Sequence, residues 1–395
     1  APAALQRDAT DGVQSVHVQV EHPAEIDALF DGAIVYAKGA RMLVMVRALI
    51  GDEALRAGLK AYFAAHQFGN ATGADLWAAL GQASGIDVSA IMTSWLEQPG
   101  YPVVTAAVVD GQLTLSQQQF FIGDGKEVGR QWAIPLNSNY DAVPAIFKDQ
   151  SVTIGNYEAL REQFCTPFRL NVGNNSHFIV KYDETLLQDI LSQSDQLDAI
   201  SQLQILQDLR LLAEGRQISY AQLVPLLGRF ANSHSAVVTA ALYRVAVNLK
   251  KFVTAHSDEE KALKGLYDQL SQDQLARLGW QDIDGESNDD QLSRPYIINA
   301  ALYAENPAAI AAAHDIFVAH ENDLTSLSAG TRVFILANEM KQFGSADLFN
   351  QLLAEYHATS DASYQSDLRA AITSTTDKAL IEQLVGKFED ADTIK

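Results

Sequence analysis

The apolar residues of this chain change their spacing twice, and those two changes limit what it can fold into more than any other feature. Up to Leu96 they recur at helical intervals. After the proline and glycine cluster Gln98-Pro99-Gly100-Tyr101-Pro102 they alternate as in strands, and beyond Tyr182-Asp183 they return to helical intervals. A helical zone, a small β zone and a long helical zone are therefore predicted, in that order.

In the first zone Met42, Met45, Val46, Leu49 and Ile50 fall at i, i+3, i+4, i+7 and i+8, which draws one stripe down a helix. Gly51 ends that stripe and Asp52 can cap the next, carried by Leu55, Leu59, Tyr62 and Phe63. Thr72 with Asp75 has the spacing of a capping box ahead of Leu76, Trp77 and Leu80, and Asp87 precedes Val88, Ile91, Met92 and Trp95.

In the β zone, runs 102–109 and 112–120 flank Asp110-Gly111, a strong hairpin signal. Further strand-like runs at 132–137, 143–147, 151–154 and 168–172 are short and separated by turns, which predicts a small antiparallel β-sandwich over 101–183. Residues 184–395 hold only helical-period segments punctuated by Gly215, Gly228, Gly279, Pro295, Pro307, Gly330 and Gly344. Helices of similar length in series favour a stacked α-helical solenoid, although no fixed repeat period is present. The expected fold is thus multidomain α+β, divided at 1–100, 101–183 and 184–395.

At 395 residues the chain exceeds the usual size of a single core. Its net charge of −21 repels phosphate backbones and anionic headgroups, so neither nucleic acid nor membrane is expected as a partner. One cysteine, Cys165, allows no internal disulfide, and no apolar run reaches the roughly 18 to 20 residues a bilayer span needs. A cytoplasmic location is expected.

Motifs that carry chemistry by themselves are scarce. Zinc hydrolysis calls for H-E-x-x-H, two imidazoles on one helical face with a glutamate base, and the nearest string, His320-Glu321-Asn322-Asp323-Leu324, has leucine at the second ligand position. The nine histidines are scattered with no pair at i, i+4, and read as surface or capping residues. His22 before Pro23 reads as a turn opening a helix with Glu25 in its first turn. The glycine-rich stretch 123–129 misses the dinucleotide fingerprint and reads as a hairpin. Cys165 has no evident base partner.

A wider pattern is more informative. The stretch Pro23-Ala24-Glu25-Ile26 … Phe30-Asp31 … Ile34-Val35-Tyr36-Ala37-Lys38-Gly39-Ala40 resembles a segment of the M1 family of zinc aminopeptidases (the aminopeptidase N family), written P-x-E-I, F-D, I-x-Y-x-K-G-A. Gly58-Leu59-Lys60-Ala61-Tyr62, His66-Gln67-Phe68-Gly69-Asn70-Ala71, Asp75-Leu76-Trp77 and Trp95-Leu96-Glu97-Gln98-Pro99-Gly100-Tyr101-Pro102 are similar to that family in order and spacing. The likeness thins through Trp132 to Leu136, Leu170 to Gly173 and Leu278-Gly279-Trp280, and is nearest to the lactic-acid-bacterium branch.

That resemblance implies a catalytic role for Tyr36, whose counterpart donates its phenolic hydrogen to the oxygen of the tetrahedral intermediate. A phenol, with a reference pKa of about 10, is protonated at neutral pH and suited to such donation. Without the resemblance, Tyr36 reads as a packed tyrosine whose hydroxyl meets a backbone group. Lys38 and Gly39 read as structural, a helix-face lysine and a close-packing glycine, and Trp77 and Trp95 as core.

The resemblance further implies the helical end of a thermolysin-like catalytic domain, then a β-sandwich, then a helical superhelix, short for the family as a truncated C-terminus would be. The zinc ligands, the glutamate base and the recogniser of the substrate amine would lie upstream of Ala1. Peptide substrates, zinc in the parent enzyme and the upstream catalytic segment as partner are expected. The chain alone is expected to bind no zinc and to be inactive. A non-enzymatic helical adaptor is the alternative reading.

Overall fold

The computed structural model describes residues 2–387, so residues 388–395 of the last helical zone lie outside the described residues. By contacts the chain divides into two compact units, Ala1–Leu226 and Leu227–Lys395.

The first unit opens with α1 (Pro2–Asp8). After a 3₁₀ turn, Pro23–Glu25, and the short α2 (Ile26–Leu29), a six-residue π-turn, Ala33–Lys38, runs directly into α3 (Gly39–His66). α3 is two helices joined at Gly51, whose φ of 80° and ψ of 163° no side-chain-bearing residue adopts readily. α4 (Gly73–Ser84) starts at the expected box: Thr72 accepts from the Asp75 N–H while Asp75 accepts from the Thr72 N–H. It ends on Gly85 at φ 72°, and Asp87 then caps α5 (Val88–Leu96).

β1 (Pro102–Val109) and β2 (Gln112–Gln119) form the expected hairpin, with Asp110 and Gly111 both at positive φ (49° and 77°). β3 (Ile134–Pro135) and β4 (Ile146–Phe147) make a separate two-stranded ladder. β5 (Ser151–Asn156) adds to β2, α6 (Tyr157–Phe164) follows, and β6 (Ile179–Tyr182) closes a four-stranded sheet of order β5-β2-β1-β6.

This corrects the expectation of an all-antiparallel β zone, because β6 lies parallel to β1, Val103 opposite Ile179 through Ala106 opposite Tyr182. The run 168–172 is no strand, and a helix takes residues 157–164, where Asn156 caps the first turn and Cys165 ends the last at φ 54°. The stretch 123–129 is not a hairpin either. Glu127 folds it back by accepting from the N–H groups of Gln119 and Gly129.

α7 (Glu184–Leu191), α8 (Ala199–Glu214) and α9 (Tyr220–Leu223) complete the first unit. Its core is continuous: Met45, Trp95, Val103, Trp132, Val180, Leu186 and Leu212 belong to one buried cluster, so residues on both sides of 100 and of 183 share it.

The second unit is helical throughout its described residues: α10 (Ala236–Leu249), α11 (Asp258–Leu278), α12 (Asn288–Tyr303), α13 (Pro307–His320), α14 (Arg332–Gln342), α15 (Ala346–Ala358), α16 (Ala362–Ile372) and α17 (Lys378–Lys387). α11 packs on α12, α13 on α14 and α15 on α16, while α12 also meets α10 and α14, and α14 meets α16. Pro295, read as punctuation, sits inside α12. The neighbouring Arg294 is buried and anchors that turn to Asp282, Glu286 and the Leu278 carbonyl. No described helix is long and apolar enough to cross a membrane.

Candidate functional site

The segment bearing Tyr36 is built by local hydrogen bonds. His22 caps the turn at Pro23 by accepting from the Ala24 N–H, with Glu25 returning to the His22 N–H. Asp31 then organises the next turn: one carboxylate oxygen accepts from the Ala33 N–H at 3.0 Å, and its carbonyl accepts from the N–H groups of Ile34 and Val35 at 2.9 and 2.8 Å. At the far end the Gly39 N–H reaches back five residues to the Ile34 carbonyl, the signature of a π-turn.

Within that turn Ile34 and Lys38 are buried, while Tyr36 between them is 68% exposed with its ring edge against Phe30 at 5.6 Å. That is not the setting of a packed core tyrosine. Tyr36 stands on the wall of a concave, mainly apolar cleft of about 800 Å³, completed by Leu43 of α3, Leu76 and Trp77 of α4, and Thr93 and Glu97 at the end of α5. Trp77, read as core, is partly buried and faces this cleft, whereas Trp95 is fully buried as expected.

Lys38 is not the helix-face lysine expected. It is completely buried, with Nζ 2.9 Å from Asp8 Oδ2 and donating to the Gly100 carbonyl at 2.9 Å. The Gly100 N–H donates to the other oxygen of Asp8 at 3.0 Å, and His177, also fully buried and so neither a surface nor a capping residue, bonds Asp8 through Nε2 at 3.0 Å. Gly100 is at φ 83°, left-handed backbone that a residue with a side chain adopts only with strain.

Burial works to raise the Asp8 pKa, but Lys38 and then His177 outweigh it and hold the carboxyl below its ordinary range. Burial lowers Lys38, opposed by Asp8, and takes His177 down to about 4 despite its bond to Asp8. The 2.9 Å contact of Lys38 with Asp8 makes an ion pair, and at neutral pH His177 stands beside it as a neutral imidazole. The imidazole carries its proton on Nε2 to donate to Asp8, leaving Nδ1 without a partner.

The sequence offered one clue to this buried centre. Lys38 lies four residues after Ile34 and four before Met42, on the apolar stripe itself, where a lysine needs a buried anion. Nothing local marked Asp8 or His177 as the other members.

Among the described residues no three His, Cys, Asp or Glu side chains are grouped so as to hold a metal ion. The residues here therefore do not fit a zinc ion by themselves.

Two family models match separate parts of the chain. Residues 1–95 match the peptidase family M1 domain, and residues 167–395 match the ERAP1-like C-terminal domain. The chain belongs to the M1 peptidase family. It is 58% identical to Aminopeptidase N of Lactobacillus helveticus over 396 residues, covering 100% of this chain and 47% of the relative. Aminopeptidase N of Lactococcus lactis subsp. lactis (strain IL1403) is 44% identical over 99% of this chain and 46% of its own length. Aminopeptidase M1 of Arabidopsis thaliana is 28% identical over 96% and 46%. The chain thus spans about half the length of these relatives.

Proposed function

We propose that this chain works as part of a zinc aminopeptidase that removes N-terminal residues from peptides, with Tyr36 donating its hydroxyl hydrogen to the oxygen that gains charge when the peptide carbonyl is attacked. The observation that carries this reading is an exposed tyrosine on a π-turn at the wall of an apolar cleft, within the M1-matching part of the chain. A donor fixed before the reaction pays no reorganisation as charge develops, and such donors contribute on the order of 10² to 10³ in turnover. π-turns are frequent at functional positions.

The zinc ligands and the general base would belong to the upstream half that the relatives possess, and that half is the proposed partner. Val20, Ile26, Phe30, Leu43, Val44, Phe63 and Phe68, all within the first 68 residues, are exposed apolar side chains suited to being covered by it. By itself the 395-residue chain is expected to leave peptides uncleaved. The alternating helix neighbours of the second unit support a stacked solenoid, and the two sheets of the first a reduced β-sandwich. With its single cysteine, the cytoplasm is the proposed location.

The test joins the chain to the upstream half of a relative and compares Tyr36→Phe with wild type on a chromogenic aminoacyl amide. An active wild type, with kcat lower by on the order of 10² to 10³ in the variant and KM changed little, supports the role. Equal turnover would remove Tyr36 from the chemistry.

A further inference from the structure

We propose that α1 clamps the π-turn at both ends and so fixes the direction in which Tyr36 presents its hydroxyl, with Lys38 as the positioning residue at the buried end. The consequence for catalysis rests on the reading of Tyr36 as a hydrogen-bond donor; the clamp itself does not.

Two consecutive residues of α1 reach opposite ends of the turn. Arg7 Nε donates to Asp31 Oδ2 at 2.6 Å, and Asp31 is the residue that organises the turn's first N–H groups. Asp8 takes the Lys38 ammonium at the last position of the turn, and both are held to the backbone of Gly100, one through its carbonyl and the other through its N–H. Lys38 follows Tyr36 by two residues, close to half a turn around the helix, so an inward Lys38 sets Tyr36 outward.

A π-turn has poor intrinsic stability, and strained backbone persists where its surroundings over-determine it. Relaxing this turn to α geometry removes one residue from the turn. That would rotate Tyr36, midway along the turn, relative to α3 by roughly half of the ~100° that one residue of an α-helix advances. A hydroxyl swung by that angle leaves the cleft wall shared with Leu43, Trp77 and Thr93. The ion pair that prevents this is wholly out of water, so it is not screened by salt as a surface pair is.

The experiment uses Lys38→Met, the neutral pair Asp8→Asn/Lys38→Met, and Leu186→Ala as a control for lost stability in the same unit away from the turn. Hydrogen exchange of the backbone amides of residues 33–39 is followed on the 395-residue chain. kcat and KM are measured after joining each variant to the upstream half. The clamp requires those amides to exchange roughly tenfold faster or more in both Lys38 variants and to stay protected in Leu186→Ala. It also requires kcat to fall by about 10- to 10²-fold with KM within about twofold. If Lys38→Met does not fold, the neutral pair, which leaves no stranded charge, decides.

Wild-type protection in the neutral pair overturns the clamp whatever Tyr36 does. Faster exchange with wild-type kcat, in an enzyme that Tyr36→Phe does cripple, overturns the positioning role. Faster exchange in an enzyme that tolerates Tyr36→Phe upholds the clamp and removes only the reading of Tyr36.

Discussion

Lys38 and Tyr36 stand two positions apart in one turn, and their surroundings make opposite demands. Tyr36 is exposed, as the proposed donor role requires, whereas Lys38 is out of water and tolerated because Asp8 and the Gly100 carbonyl hold it, with His177 on the same carboxylate. Removing one member of such a pair leaves an uncompensated ion, so Lys38→Met is expected to cost about 3 to 5 kcal/mol of unfolding free energy. Asp8→Asn/Lys38→Met leaves no ion and is expected to recover most of that loss. Urea unfolding followed by tryptophan fluorescence checks both, since Trp95 lies 6.2 Å from the His177 ring. A double variant as unstable as the single one would mean that the geometry of the pair, not the stranded charge, dominates. Tyr36 stands out in the sequence because a run of motif residues surrounds it, and its role remains the proposal tested above. The centre behind it was hidden, because its members are separated by 30 and 139 positions and no local pattern joins them.

At the scale of elements, features governed by neighbouring residues were readable and those governed by distant pairing were not. Gly51 as a break, the Thr72 and Asp75 box and the Asp110-Gly111 turn all depend on backbone freedom or a side chain reaching three residues. The parallel seat of β6 depends on pairing residues 103–106 with 179–182, which spacing cannot reveal. Gly51 offers a direct test. Its φ of 80° and ψ of 163° lie in a region reserved almost wholly for glycine, and open space surrounds the place of a Cβ. Gly51→Ala is therefore expected to cost about 1 to 3 kcal/mol through backbone strain alone. Thr72→Ala, which removes one side of a cap, is expected to cost about 1 kcal/mol. Thermal unfolding ranks the two, and a harmless Gly51→Ala would mean that the break in α3 straightens at no cost.

For the whole molecule, two buried groups give stability opposing pH dependences. Asp208 of α8 accepts from the Val180 N–H, yet burial dominates and lifts its pKa to about 8. Between its unfolded value, about 3.9, and that pKa, the folded chain keeps a proton that the unfolded chain releases, so stability falls as pH rises. His177 acts in the opposite sense. Folded, it titrates at about 4, and unfolded at about 6.5, so across that window only the unfolded chain takes up a proton and stability rises with pH. From about pH 4 to 6.5 the two slopes oppose one another; above that, His177 is neutral in both states and Asp208 continues to weaken the fold until its own pKa is reached. Taken alone, the Asp208 proton corresponds to about 2 kcal/mol lost between pH 6 and 8. Asp208→Asn keeps an oxygen to accept from Val180 but has no proton to lose, so its stability relative to wild type should rise by that amount over the same interval. Urea titrations at pH 6 and 8 measure this difference directly, and three of the four tryptophans, Trp77, Trp95 and Trp132, report the unit that contains Asp208. Parallel pH dependence in the two proteins would mean that Asp208 is ionised across the interval, and that its hydrogen bonds with Val180 and Gln204, together with the charge of Arg41, outweigh the burial.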